Sequence, residues 1–196
     1  MASSLSQQIA FLLEIDKLKS VFRRSYHLDG SGHENDAEHS WHLAVAALIL
    51  QEYAAESVEV LRVLKMVLVH DIVEIDAGDT FVYADPVASG KAEAERAAAE
   101  RIFALLPEEQ GAEFRSLWEE FEAVATPEAR FAAALDRLLP LLHNYHTEGL
   151  TWREHGITAE RVLARNQPVL RAGAPALEEY ATRMIREAVA KGWLGE

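Results

Sequence analysis

No cysteine occurs among the 196 residues, which excludes disulfides, thiolate metal sites and cysteine nucleophiles together. Any metal must then be held by nitrogen and oxygen donors. Positive charge is also scarce: 19 Lys and Arg face 32 Asp and Glu, a formal net charge of −13. Wrapping a nucleic-acid backbone requires clustered Lys and Arg that displace counterions, so no polymeric nucleic-acid partner is expected. A small phosphorylated ligand stays compatible, because one metal ion can reverse the field inside a single pocket. Long apolar runs are missing too, since no stretch of about 18 uncharged apolar residues exists to span a membrane. The opening MASSLSQQIAFLLEIDKLKS carries charge too early for a secretory leader. These absences predict a cytoplasmic protein with no membrane partner.

What is present is helical pattern. At 49% hydrophobic residues the chain has ample material for one core, and the spacing of apolar positions predicts an all-α bundle without strands. We expect a single domain over 1–196, its core at roughly 10–150 and a helical extension over 151–196. A first helix is predicted over 5–22, followed by the irregular connection HLDGSGHEND. Asn35 or Asp36 caps the second, with Glu38 completing a capping box and the apolar run ending at Leu50. The third runs from about Ser57 to Asp76. Asp85-Pro86 is expected to open a Lys/Glu/Ala-rich helix reaching Leu106; Pro107 opens the next, through about Ala125. Thr126-Pro127-Glu128 then opens the helix carrying ALDRLLPLLHNY. Two tail helices are expected near 159–165 and 175–191.

The stretch RVLKMVLVHDIVEI is apolar on nearly every side, yet His70-Asp71 lies in its middle. A buried carboxylate without a partner costs several kcal/mol, so something cationic should meet it. Ordinary hydrogen bonding between helices would account for an isolated His-Asp pair equally well. His39, in the first turns of the second helix, and Asp136, in the apolar helix after Thr126, are further polar residues at core-facing positions. Two imidazoles and two carboxylates from three helices make a plausible site for one divalent ion, with positions left for water or substrate. Such a set accepts Mn, Fe, Co, Ni, Cu, Zn or Mg. Pro140 removes the amide that would bond the Asp136 carbonyl, which predicts a kink beside that ligand.

His39, then His70-Asp71, then Asp136 resembles the H…HD…D signature of the HD superfamily. HENDAEHSWHLAVAALIL, VHDIVEIDAGDT and the spacing to ALDRL resemble, more narrowly, the small HD-domain 5'-deoxynucleotidases, over roughly residues 10–150. The resemblance implies a helical bundle, commonly a homodimer, that hydrolyses deoxyribonucleoside monophosphates. Superfamily members with two metals use extra histidines between the HD pair and the final Asp. Here none occurs between His70 and His143, which favours one metal. Glu74 follows Asp71 by three positions and shares its helical face. It serves either as the base that orients attacking water or as a hydrogen-bond partner of a ligand histidine. Asp79 is either a second catalytic acid or a loop cap; acids at both positions act in the resembling family. Arg24 falls where that family places a phosphate-contacting arginine, and an arginine fork suits phosphate. Ser25 follows it, where characterised members carry a tryptophan associated with deoxyribose selection. Lys91 is read either as a phosphate contact or, more simply, as a solvated lysine. His42 and Trp41 are expected to pack or to support a ligand, and His143 and His146 to bond at a helix end or pocket wall. His27, His33 and His155 are expected in loops. Hydrolysis of a nucleoside triphosphate or another phosphorylated metabolite, and a non-catalytic metal-stabilised nucleotide-binding module, remain the alternatives.

Overall fold

Thr126 begins the helix around which the molecule is built. Its hydroxyl accepts a bond from the Ala129 amide, Pro127 fills the first turn, and α7 (Pro127–His146) runs through Pro140 without interruption. Phe131, Leu135, Leu138 and Leu139 of α7 are buried. They pack against α2 (Asp36–Leu50), α3 (Val60–Val69), α6 (Glu108–Ala123), α9 (Ala159–Gly173) and α10 (Pro175–Ala190). The computed structural model describes residues 3–83 and 90–196; the expected Asp85-Pro86 cap lies outside them. Among the described residues no helix is long and apolar enough to cross a membrane.

The predicted capping box holds: the Asn35 side chain accepts from the Glu38 amide while the Glu38 carboxylate accepts from the Asn35 amide. The first helix ends sooner than expected, α1 covering Ser4–Ile15 before a 3₁₀ turn at Asp16–Ser20. α4 (Glu74–Ala77), α5 (Lys91–Phe103), which packs on it, the short α8 (Leu150–Glu154) and the longer α9, with Pro168 inside it, complete the helices.

Two expectations fail. β1 (Phe22–Tyr26) and β2 (His33–Asn35) form a small antiparallel pair on either side of the Gly- and Ser-containing turn, which moves His33 from a loop into a strand. A two-stranded ribbon is marginal alone; this one is braced by α7 and α8, and the Thr151 hydroxyl donates to the Arg24 carbonyl at 2.9 Å. Short ribbons held by their surroundings leave little periodic signal. The predicted third helix also breaks: α3 stops at Val69, His70–Val73 form a 3₁₀ turn, and α4 resumes at Glu74. The His70 imidazole Nδ1 donates to the Val67 carbonyl at 3.0 Å, tightening the chain where the polar pair must turn inward. Residues three apart eclipse in a 3₁₀ turn, so Asp71 and Glu74 share a face more closely than an α-helix would allow.

The buried apolar residues form two clusters. The larger joins α2, α3, α6, α7, α9 and α10. The smaller gathers Phe11, Leu18, Val69, Ile72, Val73, Ile102 and Phe103 from α1, the end of α3, α5 and the 3₁₀ turns. His70 and Asp71 therefore belong to the smaller cluster's wall, while His39 and Asp136 stand on helices of the larger one. α9 approaches α7 until backbones meet: a Cβ on Gly173 would lie 2.1 Å from the Arg130 carbonyl oxygen and 2.8 Å from the Ala134 Cβ. Gly173→Ala should destabilise the protein by about 1–3 kcal/mol through this overpacking. A urea midpoint equal to that of the unsubstituted protein would show that the two helices can separate at little cost.

Candidate metal and catalytic centre

α2, the 3₁₀ turn and α7 converge on four side chains. His39 Nε2 lies 3.0 Å from Asp136 Oδ1, His70 Nε2 lies 3.1 Å from Asp71 Oδ1, and His70 Nε2 lies 3.9 Å from Asp136 Oδ1. Donors each about 2.1 Å from a shared ion adopt such separations. The rear nitrogens are engaged elsewhere: His70 Nδ1 with the Val67 carbonyl and His39 Nδ1 facing Glu34 Oε2 at 3.3 Å. Both Nε2 atoms are thereby directed at the centre, as outer hydrogen bonds commonly direct metal-binding imidazoles. His70 Nε2 is buried without a hydrogen-bond partner, although a side-chain nitrogen there would normally have one. The four residues fit one divalent ion.

Arg23 stands beside these side chains, and the sequence reading missed it. Its Nη1 lies 2.8 Å from Asp71 Oδ2 and 3.3 Å from Asp36 Oδ1, its Nη2 3.7 Å from Asp136 Oδ1, and its Nε 4.0 Å from Glu34 Oε2. Asp71 thus offers one oxygen to the proposed metal position and the other to Arg23. Alternation along β1 turns Arg23 and Ser25 inward and leaves Arg24 more exposed. Arg24 instead lines the rim of an adjoining cavity with Ser25, Asp79 and Tyr83. Recognising the strand would have identified which of the two arginines points in.

The acids divide by charge environment. Burial opposes ionisation of Asp71, but His70 and then Arg23 hold it well below the ordinary carboxylate range. Asp136 is likewise held low against burial, first by its bond to His39. Burial and the negative charge of Asp71 push Glu74 and Asp36 upward. Burial, opposed by Arg23 and reinforced by Asp71, also raises Asp79. Asp36, Glu74 and Asp79 bring carboxylate oxygens within 4.8 Å of one another. His39 is raised to about 9: burial and Arg23 oppose its proton, but Asp136 and Glu34 outweigh them. A binding cation would displace that proton.

Glu74 and Asp79 share with the ligands a cleft that also holds Lys91, Arg137 and Arg165. Lys91 is half-buried rather than solvated, with its ammonium 3.6 Å from Glu74 and 3.1 Å from Glu95. Glu34 and Asp36, 3% and 0% exposed, were also missed, because in sequence they look like the flanks of a helix cap. Trp41 does not pack as expected: it is 66% exposed. His42 joins Glu34 and His143 in a second group, His143 being buried with Nδ1 3.8 Å from Glu34 Oε2. His27 and His155 lie outside helices and strands, as expected.

A family profile described as HD domain matches residues 15–178. The chain is 31% identical over 147 residues to the 5'-deoxynucleotidase HDDC2 of Xenopus laevis, covering 74% of this chain and 71% of that one. It is 29% identical over 143 residues to the human protein of the same name, covering 72% and 69%. Among solved structures, that of a predicted metal-dependent phosphohydrolase from Magnetospirillum magnetotacticum MS-1 matches with a TM-score of 0.95 at 52% identity, covering 99% of this chain and 97% of that one.

Proposed function

The chain belongs to the HD-domain family, and from that membership we propose that it is a metal-dependent phosphohydrolase releasing phosphate from nucleoside 5'-monophosphates, deoxyribonucleotides foremost. The observation that carries this reading is the four-residue donor set of His39, His70, Asp71 and Asp136, opening into a cleft that holds Glu74 and Asp79. When bound, one divalent ion supplies charge stabilisation for the phosphate oxygens and acidifies water.

The chain's own residues supply the rest. Glu74 positions the attacking water and accepts its proton; the Lys91 ammonium, 3.6 Å away, orients the carboxyl group. Asp79 protonates the leaving 5'-oxygen, and its raised pKa keeps the acid form available closer to neutrality. Arg24 contacts the phosphate from the cavity rim, while Arg23 holds the outer oxygen of Asp71. Lys91 acts through Glu74. The apolar face of α2 that exposes Trp41, Val45 and Leu48 supports a homodimer, since patches of this kind mark protein contacts.

The test is phosphate release from deoxyribo- and ribonucleoside mono-, di- and triphosphates by metal-stripped protein reloaded with Mn, Co, Zn or Mg. Metal-dependent release concentrated on 5'-deoxymonophosphates is the expected result. Binding of metal and nucleotide without phosphate release from any of them would replace the hydrolase with a metal-stabilised binding module.

A further inference from the structure

His39 and Asp136 each have an echo along their own helix. His42 follows His39 by three residues on α2, and His143 follows Asp136 by seven on α7. Both spacings return a side chain to roughly the same helical face. Glu34, on β2, joins the two echoes: its Oε2 lies 3.3 Å from His39 Nδ1 and 3.8 Å from His143 Nδ1. Glu34, His42 and His143 offer donor atoms that all lie within 4.8 Å of one another.

His143 is 5% exposed, and its Nδ1 is buried without a hydrogen-bond partner. The helix-end bond expected of this residue is therefore not made by that nitrogen. Its 3.8 Å separation from the Glu34 carboxylate exceeds hydrogen-bond length, yet it suits two donors that each stand about 2.1 Å from one ion. Facing His39 leaves Glu34 acceptor capacity, since a carboxylate offers about four lone-pair sites. Burial, opposed by Glu34 and reinforced by His42, lowers the His143 pKa and so favours the neutral imidazole that binds metals. The ring centroids of His42 and His143 are 5.7 Å apart with planes at 30°, against 6.0 Å and 50° for His39 and His70. The second pair of imidazoles thus has nearly the spacing of the first.

We propose that Glu34, His42 and His143 form a second cation site, which takes a first-row divalent transition ion such as zinc or cobalt on two nitrogens and one oxygen. Imidazole donors favour these ions over magnesium or calcium, which prefer oxygen alone. His42 is half-buried and gives the ion a way in from the surface of α2. The site shares no residue with the carboxylate group of Asp36, Glu74 and Asp79, and it stands whether or not the chain hydrolyses phosphate. It is the weaker of the two histidine sites: it has three donors instead of four, Arg23 Nε lies 4.0 Å from Glu34 Oε2, and an ion at the first site repels a second. Ions retained through gel filtration therefore report the first site alone.

The test is a cobalt(II) titration of metal-stripped protein, followed by calorimetry and visible absorption, with the native sequence, His42→Gln and His143→Gln. The expected result is two equivalents bound by the native sequence, the tighter one surviving gel filtration. The weaker equivalent should be lost in both variants while the tighter one keeps its affinity. His42 is half-buried, so His42→Gln should fold, and it decides alone if the buried His143→Gln does not. A weaker equivalent that persists in His42→Gln overturns the proposal, because cobalt is then held elsewhere, with the carboxylates of Asp36, Glu74 and Asp79 the first place to look. A single equivalent in the native sequence overturns it too, leaving Glu34 and His143 to bond each other directly. So does loss of the tighter equivalent in His42→Gln, which would make His42 a support of His39 and not a ligand of its own ion.

Discussion

Asp71→Ala should lose both bound metal and phosphate release, whereas Glu74→Gln should keep its metal and lose about 10²–10⁴-fold in rate, the usual contribution of a positioned base. The two residues are three apart and share one face of a tight turn, yet their surroundings assign them opposite tasks. Asp71 is held ionised by His70 and Arg23 and places one oxygen 3.1 Å from His70 Nε2, which suits it to the proposed ligand role. Glu74 is pushed toward its acid form by burial and by Asp71, and a cation bound at Asp71 would offset that charge and restore the carboxylate that a base requires. It is therefore suited to exchanging protons. Metal content by atomic absorption, read beside initial rates, separates the roles. Full activity in metal-loaded Glu74→Gln would remove the base assignment, and bound metal in Asp71→Ala would remove the ligand assignment.

Arg23→Met should be the most destabilising single change in the centre, costing metal-free protein about 3–5 kcal/mol, the range found when one partner of a buried ion pair is deleted. Arg23 is a cation among Glu34, Asp36, Asp71 and Asp136. Without it those carboxylates face one another in a poorly solvated space, and their folded-state pKa values rise above the unfolded ones. Acids shifted upward favour the fold at low pH and weaken it as pH climbs through the raised values. The deficit should consequently be largest at neutral and alkaline pH and shrink on acidification. Urea unfolding from pH 8 down to pH 5 reads both effects. A deficit that grew on acidification would mean the carboxylates do not depend on Arg23 for neutralisation.

The clustering of His39, His70, Asp71 and Asp136 was legible because each breaks a rule at its position: they are polar residues in stretches whose spacing demands apolar ones. The capping box at Asn35 and Glu38 was legible because it is a purely local bargain between side chain and backbone. Arg23 was hidden by its neighbour. Two arginines in a row are equivalent until a strand assigns them opposite faces, and that strand exists only because α7 and α8 brace it. Glu34 and Asp36 were hidden for another reason: acids at a helix start already have a sufficient explanation in the helix dipole, so nothing in their spacing hinted at complete burial. The break at His70 could not be seen either, because an apolar run of that length is compatible with continuous helix. The bond from His70 to the Val67 carbonyl is fixed only once the imidazole has a target.

The division of the core into two clusters bears on how the molecule opens. His70 and Asp71 sit on the wall of the smaller cluster, while His39 and Asp136 sit on helices of the larger. An ion shared by all four would span the boundary, and whatever binds only the closed arrangement adds its binding free energy to the cohesion of the two parts. Such an ion would also be a latch between two cooperative units, and slow amide exchange in α1 and α5 would gauge whether that latch is shut.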